Sequence, residues 1–124
     1  MARILLVEDD PVIADLHNRI LKRLGYQTII QVDSEEEVFD NLHAVDVVLM
    51  DVTLNKRLAG IKYCIKIKKQ YPRLRVIFVS AFPWITFESK LTGVPYDGYI
   101  DKIHFSEDIE YILQNPGGPG NVIC

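Results

Sequence analysis

Five short apolar runs, separated by segments with helical periodicity, constrain this 124-residue chain more than any other feature. "RILLVE" (3–8), "VDVVLM" (45–50) and "RVIFVSA" (75–81) are almost unbroken Ile, Leu, Val and Phe. A strand with one face in water alternates apolar and polar residues, whereas a strand covered on both faces does not. These three therefore read as central strands. "QTIIQV" (27–32) and "GYID" (98–101) carry more polar residues, as strands nearer a sheet edge do.

The intervening segments read as helices. In "PVIADLHNRILKRLG", Val12, Ile13, Leu16, Ile20 and Leu24 follow one helix face, which leaves His17 on the polar side. Pro11 suits the first helical position, Asp10 the cap before it, and Gly25 the left-handed stop after the last turn. Ser34 and Glu37 stand at capping-box spacing ahead of a short second helix. "GIKYCIKIKKQY" places Ile61, Cys64, Ile65 and Lys68 on one side and ends before Pro72. "WITFESKLTG" is a weaker helix, cut short at Gly93-Val94-Pro95, with Trp84 and Phe87 expected to face the core. The last, "SEDIEYILQN", reads as capped by Ser106 with Ile109, Ile112 and Leu113 inward.

Strands alternating with helices imply parallel strands joined by right-handed crossovers, with helices on both faces. The expected fold is α/β: a doubly wound, five-stranded parallel sheet of flavodoxin-like order 2-1-3-4-5. Residues 1–115 form the expected domain, and "PGGPGNVIC" (116–124) reads as a tail or linker remnant.

Composition narrows the functional classes. At 48% apolar and 25% charged the chain is of globular type. A net charge of -3 argues against nucleic-acid binding, which needs a basic surface, and the run from Lys66 to Arg75 reads as a solvated helix face. No window approaches a membrane span, and Glu8, Asp9 and Asp10 interrupt any signal-like start. Cys64 and Cys124 have no metal-ligand spacing, and Cys64 reads as a buried small hydrophobe. The absence of a disulfide framework fits a cytoplasmic location. His17, His43 and His104 show no ligand spacing and read as surface residues.

In an open parallel sheet the functional crevice lies beyond the carboxyl ends of the strands, where the winding reverses. There the chain places Glu8 and Asp9 after strand one, Asp51 after strand three, Ser80 after strand four and Lys102 after strand five. Crowded carboxylates repel unless a cation joins them, and hard oxygen ligands suit Mg²⁺. An Asp51 oxygen held between such a cation and Lys102 can attack a phosphoryl group.

"ILLVEDDP", "VVLMD", "VIFVSA" and "GYIDK", in this order, resemble the receiver domain of two-component response regulators over about residues 3 to 115. The resemblance implies that Asp51 accepts phosphate from a histidine kinase or phosphotransfer protein. It implies Mg²⁺ bound by Asp9 and Asp51 directly, by Glu8 through water and by the Thr53 backbone carbonyl. Ser80 would hydrogen-bond the phosphoryl group, Lys102 would pair with it, and Tyr99 would be the aromatic switch. The signal would pass to an output domain or partner through the face of helix four, strand five and helix five. Phe82, two residues past Ser80, is expected to overhang the phosphoryl group and slow its hydrolysis.

Two of the chain's departures from the family lie beside the site, and a third, "GVPYDG", replaces the small residues usual before strand five. Receivers usually carry proline after the strand-five lysine, with a cis bond; here Ile103 follows Lys102, which predicts a trans bond and a rearranged loop. The loop "TLNKRLAG" lacks the usual proline and is one residue longer. These departures motivate an alternative, a receiver-like interaction module that has lost phosphotransfer. A phosphohydrolase using Asp51 would want a second acid where Thr53 stands, and a nucleotide site would want a glycine-rich turn after strand one.

Overall fold

The computed structural model describes residues 2–31, 34–54 and 56–116. Five parallel strands, β1 (Arg3–Val7), β2 (Gln27–Gln31), β3 (Val47–Asp51), β4 (Arg75–Ser80) and β5 (Gly98–Asp101), lie in the order 2-1-3-4-5. Five helices separate and follow them: α1 (Pro11–Arg23), α2 (Glu35–Asp40), α3 (Ala59–Gln70), α4 (Trp84–Leu91) and α5 (Phe105–Gln114). Short 3₁₀ turns at Leu42–Ala44 and Lys102–His104 complete the order.

The apolar runs explain the sheet's position. All five residues of β3 are buried, as are the last five of β4. Alternate residues feed two cores. Ile4, Leu6, Leu49, Ile77 and Ile100 pack with Ala14, Leu21, Phe105, Ile109 and Ile112 of α1 and α5. Leu5, Val48, Met50 and Phe78 pack with Val38, Cys64, Ile67 and Leu91 on the opposite face. Fully burying one such side chain is worth about 1.5–3 kcal/mol, so the strands cannot shift register without losing both layers.

Several local expectations hold. The Asp10 carboxylate accepts from Val12 N–H at 2.9 Å and Ile13 N–H at 3.4 Å, with Pro11 behind it. Ser34 caps α2 by accepting from Glu37 N–H at 3.3 Å. Gly25 takes the left-handed conformation, φ 93°. No cis peptide occurs among the described residues, so Lys102–Ile103 is trans.

Others are corrected. The inner face of α1 is Ala14, His17 and Leu21, while Val12 and Leu16 are exposed. The helix is rotated from the expected stripe because the small Ala14 permits close approach to the sheet and Phe105 supplies a partner for His17. His43 and His104 are exposed as expected, but His17 is buried. In α3 the buried residues are Gly60, Ile61, Cys64 and Ile67, and Ile65 faces outward. Ser106 does not cap α5: the helix begins one residue earlier at Phe105, and the preceding 3₁₀ turn delivers the chain already coiled. Trp84 and Phe87 are half-buried against the core, as expected. Val32 and most of the expected tail, 117–124, lie outside the described residues.

Gly60 marks the tightest clearance near the site. A side-chain carbon there would stand 1.9 Å from the Asp51 carbonyl oxygen, so only glycine lets α3 begin against the end of β3. At the far end of the sheet, Arg75 of β4 donates to the carbonyls of Ile112 and Leu113, at 2.7 and 3.3 Å, tying down the last turn of α5.

Candidate functional site

Register delivers the acids together. Val7 pairs with Met50, and Asp51 pairs with Val79, so the residues following β1 and the last residue of β3 emerge side by side. Glu8, Asp9 and Asp51 each offer an oxygen, and these lie within 4.8 Å of one another. They line a cleft of about 360 Å³ whose remaining wall includes Asp10, Thr53, Ala81, Phe82 and Lys102. The Lys102 ammonium reaches in from the turn after β5, 2.6 Å from Glu8 and 3.1 Å from Asp51. Asp51 Oδ1 accepts from Thr53 N–H at 3.0 Å, while Oδ2 faces Lys102.

The electrostatics follow from this crowding. Glu8 is 2% exposed, and burial pushes its carboxyl up to about 7. The Lys102 contact and the Asp10 N–H, at 3.1 Å, oppose that rise, whereas the neighbouring Asp51 adds to it. Burial alone depresses the Lys102 ammonium, but its bond to Glu8 and the charge of Asp51 prevail and the net shift is upward. One cation thus serves two carboxylates, with Asp9 beside them, leaving local negative charge in excess. The donor set is all oxygen and anionic, which fits a hard divalent cation such as Mg²⁺.

The flanking residues are also brought close. Ser80 is buried, and its Oγ accepts from Phe82 N–H at 3.0 Å. Phe82 is half exposed at the cleft wall, its ring edge-on to Phe87. Tyr99 is fully buried, and its hydroxyl donates to the Phe82 carbonyl at 2.7 Å, joining β5 to the segment before α4. Sequence reasoning missed Asp101, whose carboxylate accepts from Ile103 N–H at 3.1 Å and shapes the Lys102 turn. It also missed the stack of His17 on Phe105 below that turn. An acid three residues before the exposed His104 is an ordinary capping signal; the stack carries no sequence signal at all.

A doubly wound parallel sheet with three acids and one lysine at its switch point defines a class of crevice built for charged, oxygen-rich ligands. The response regulator receiver domain model matches residues 4–114, and the chain belongs to that family. It is therefore a signalling domain of the two-component type. It is 42% identical over 92 residues to the uncharacterized transcriptional regulatory protein YbdJ of Bacillus subtilis, covering 74% of this chain and 40% of that protein. It is 30% identical over 105 residues to the heme response regulator HssR of Staphylococcus saprophyticus, covering 82% and 45%. The chain thus spans less than half the length of these curated relatives. Among solved structures it is similar to the response regulator TrrA of Thermotoga maritima in complex with Mg²⁺–BeF, at 26% identity and TM-score 0.78 over 92% of this chain and 98% of that one. No helix among the described residues is long and apolar enough to cross a membrane.

Proposed function

We propose that this domain accepts a phosphoryl group on Asp51 from the phosphohistidine of a histidine kinase or phosphotransfer protein. An Asp51 carboxylate oxygen forms the new O–P bond as the N–P bond to the partner's imidazole breaks, the electron pair leaving on the imidazole nitrogen. The observation that carries this reading is that Asp51 has the Lys102 ammonium at 3.1 Å and an oxygen within 4.8 Å of both Glu8 and Asp9. The Thr53 N–H and Lys102 each hold one Asp51 oxygen, which fixes the carboxylate's orientation before reaction. Lys102 then pairs with the transferred oxygens, and Ser80 Oγ–H donates to one of them.

Asp9 and Asp51 would hold Mg²⁺ directly, Glu8 through water, and Thr53 through its backbone carbonyl. When bound, Mg²⁺ supplies positive charge that offsets the acids and the phosphoryl oxygens. When Ser80 turns to the phosphoryl group it gives up the Phe82 N–H. That strains the segment to which Tyr99 is tied and biases the face formed by α4, β5 and α5 towards an output domain or partner. The domain acts in the cytoplasm, and neither nucleic acid nor membrane is its direct partner. Phe82 overhangs the cleft and hinders the water that would hydrolyse the product; Phe82→Ala shortens the phosphoaspartate half-life several-fold, and an unchanged half-life removes that role.

The deciding experiment is intact mass after incubation with phosphoramidate and Mg²⁺. The parent gains one phosphoryl group; Asp51→Asn does not. A parent that binds Mg²⁺ yet gains no mass points instead to an interaction module without phosphotransfer.

A further inference from the structure

Lys102 enters the cleft from the three-residue 3₁₀ turn Lys102–His104. Ile103 is 78% exposed, and the turn's own ties are the bonds from Ile103 N–H to the Asp101 carboxylate and from Phe105 N–H to the Lys102 carbonyl. A further anchor comes next. Phe105, the first residue of α5, is 2% exposed and lies flat against the His17 ring, with centroids 3.8 Å apart and planes inclined by 12°. His17 is itself 3% exposed, and its Nδ1 is buried with no hydrogen-bond partner. Leaving such an atom unsatisfied costs about 1–3 kcal/mol, so hydrogen bonding at Nδ1 does not account for the residue's place. The flat ring does. It belongs to the helix whose first residue follows the Glu8–Asp10 acids directly, so a single rigid element relates the acids to the plane on which the Lys102 turn rests.

We propose that His17 is a positioning residue: its stack on Phe105 sets the Lys102 turn at the distance from Glu8 and Asp51 that phosphoryl transfer uses. The inference rests on the function proposed above. Burial holds the imidazole down at about 4, with the Lys102 charge adding to this, so the ring stays neutral at cytoplasmic pH.

The test compares the parent with His17→Ala and with His17→Phe, which keeps a flat ring and removes the nitrogens. The first readout is the phosphorylation rate with phosphoramidate at saturating Mg²⁺, set against the Mg²⁺ concentration for half-maximal rate. The second is mass-spectrometric labelling of Lys102 by an amine-acetylating reagent, referenced to Lys66; their side chains are 19% and 47% exposed. His17→Ala slows transfer about tenfold, because small misplacement of a positioned group is costly. It leaves half-saturating Mg²⁺ within a factor of about two, since the acids are undisturbed, and it raises Lys102 labelling several-fold. His17→Phe restores both rate and labelling. Parent-like rate and labelling in His17→Ala, or no restoration by His17→Phe, overturns the proposal. If the parent takes up no phosphoryl group, the function proposed above fails, and the labelling still decides whether His17 holds Lys102. If His17→Ala does not fold, His17→Leu fills the space without a flat face and is expected to behave as described for alanine; parent-like labelling in it overturns the proposal.

Discussion

Glu8 and His17 are buried to almost the same extent, 2% and 3% exposed, on either side of the same helix start, and they behave oppositely. Burial disfavours the charged form of each, so Glu8 rises to about 7 while His17 falls to about 4. The difference lies in their neighbours. Glu8 meets a lysine, a backbone N–H and two more acids, and is left with the means to ionise when a cation arrives. His17 meets the face of Phe105 while its own Nδ1 has no partner, and it stays neutral. Equal burial thus yields a responsive group in one place and a silent one in the other.

The largest effect that tests this contrast is loss of the responsive site's chemistry. Asp51→Asn abolishes phosphoryl uptake measured by intact mass, while His17→Phe retains it; the reverse pattern would invert the assignment of the two regions.

Next come opposing pH dependences of stability. Glu8 has an ordinary value of 4.5 and about 7 in the fold, so between these values the native state holds a proton that the unfolded chain has released. Its contribution therefore declines as pH rises through that window. For His17 the ordinary value is 6.5 and the folded value about 4, so the unfolded chain binds the extra proton and stability declines as pH falls through that window. Each contribution is on the order of 3 kcal/mol, at about 1.4 kcal/mol per tenfold change in proton affinity. In the metal-free parent the two slopes largely cancel. His17→Phe unmasks the decline with rising pH, and Glu8→Gln unmasks the rise. Urea midpoints measured in chelator between pH 4 and 7.5 check this, and three superimposable profiles would contradict it.

A somewhat smaller effect separates the regions by ligand. At 100-fold excess over its dissociation constant, Mg²⁺ stabilises a folded protein by about 2.7 kcal/mol. The gain is greater at pH 7.5 than at pH 5, because Glu8 must ionise to support it, and His17→Phe leaves the gain intact. Thermal midpoints with and without Mg²⁺ measure it; equal gains at both pH values would remove Glu8 from the metal site. The smallest effect is that of the cap joining the two regions. Asp10→Ala costs about 1 kcal/mol of stability by chemical unfolding, the usual worth of a helix cap.

Much of this was legible from residue order, and the reason is locality. Strands covered on both faces announce themselves as continuous apolar runs, and Asp10, Ser34 and Gly25 act on atoms within a few residues. The acids and Lys102 were legible because strand order and strand ends together place them. What was not legible depends on contacts between distant segments. Val12 and Leu16 satisfied the periodicity of α1 and still face water, because Ala14 and His17 fit the surface of the sheet and α5 better. Ser106 looked like a cap, but the turn at Lys102–His104 starts the helix without one. His17 was assigned outward by polarity alone; only the position of Phe105, 88 residues further on, turns it inward.

The bare α-carbon at position 60 fixes where the connection after β3 must end. Where the third helix abuts the carbonyl of Asp51 there is no slack, so any surplus length must be taken up upstream. Upstream, Leu54 and Arg57 exchange backbone hydrogen bonds of 2.8 and 3.0 Å, and Lys56 takes φ 61°. The paired backbone of Leu54 and Arg57 and the clearance at Gly60 thus pin the connection at two points beyond the carboxylate it follows.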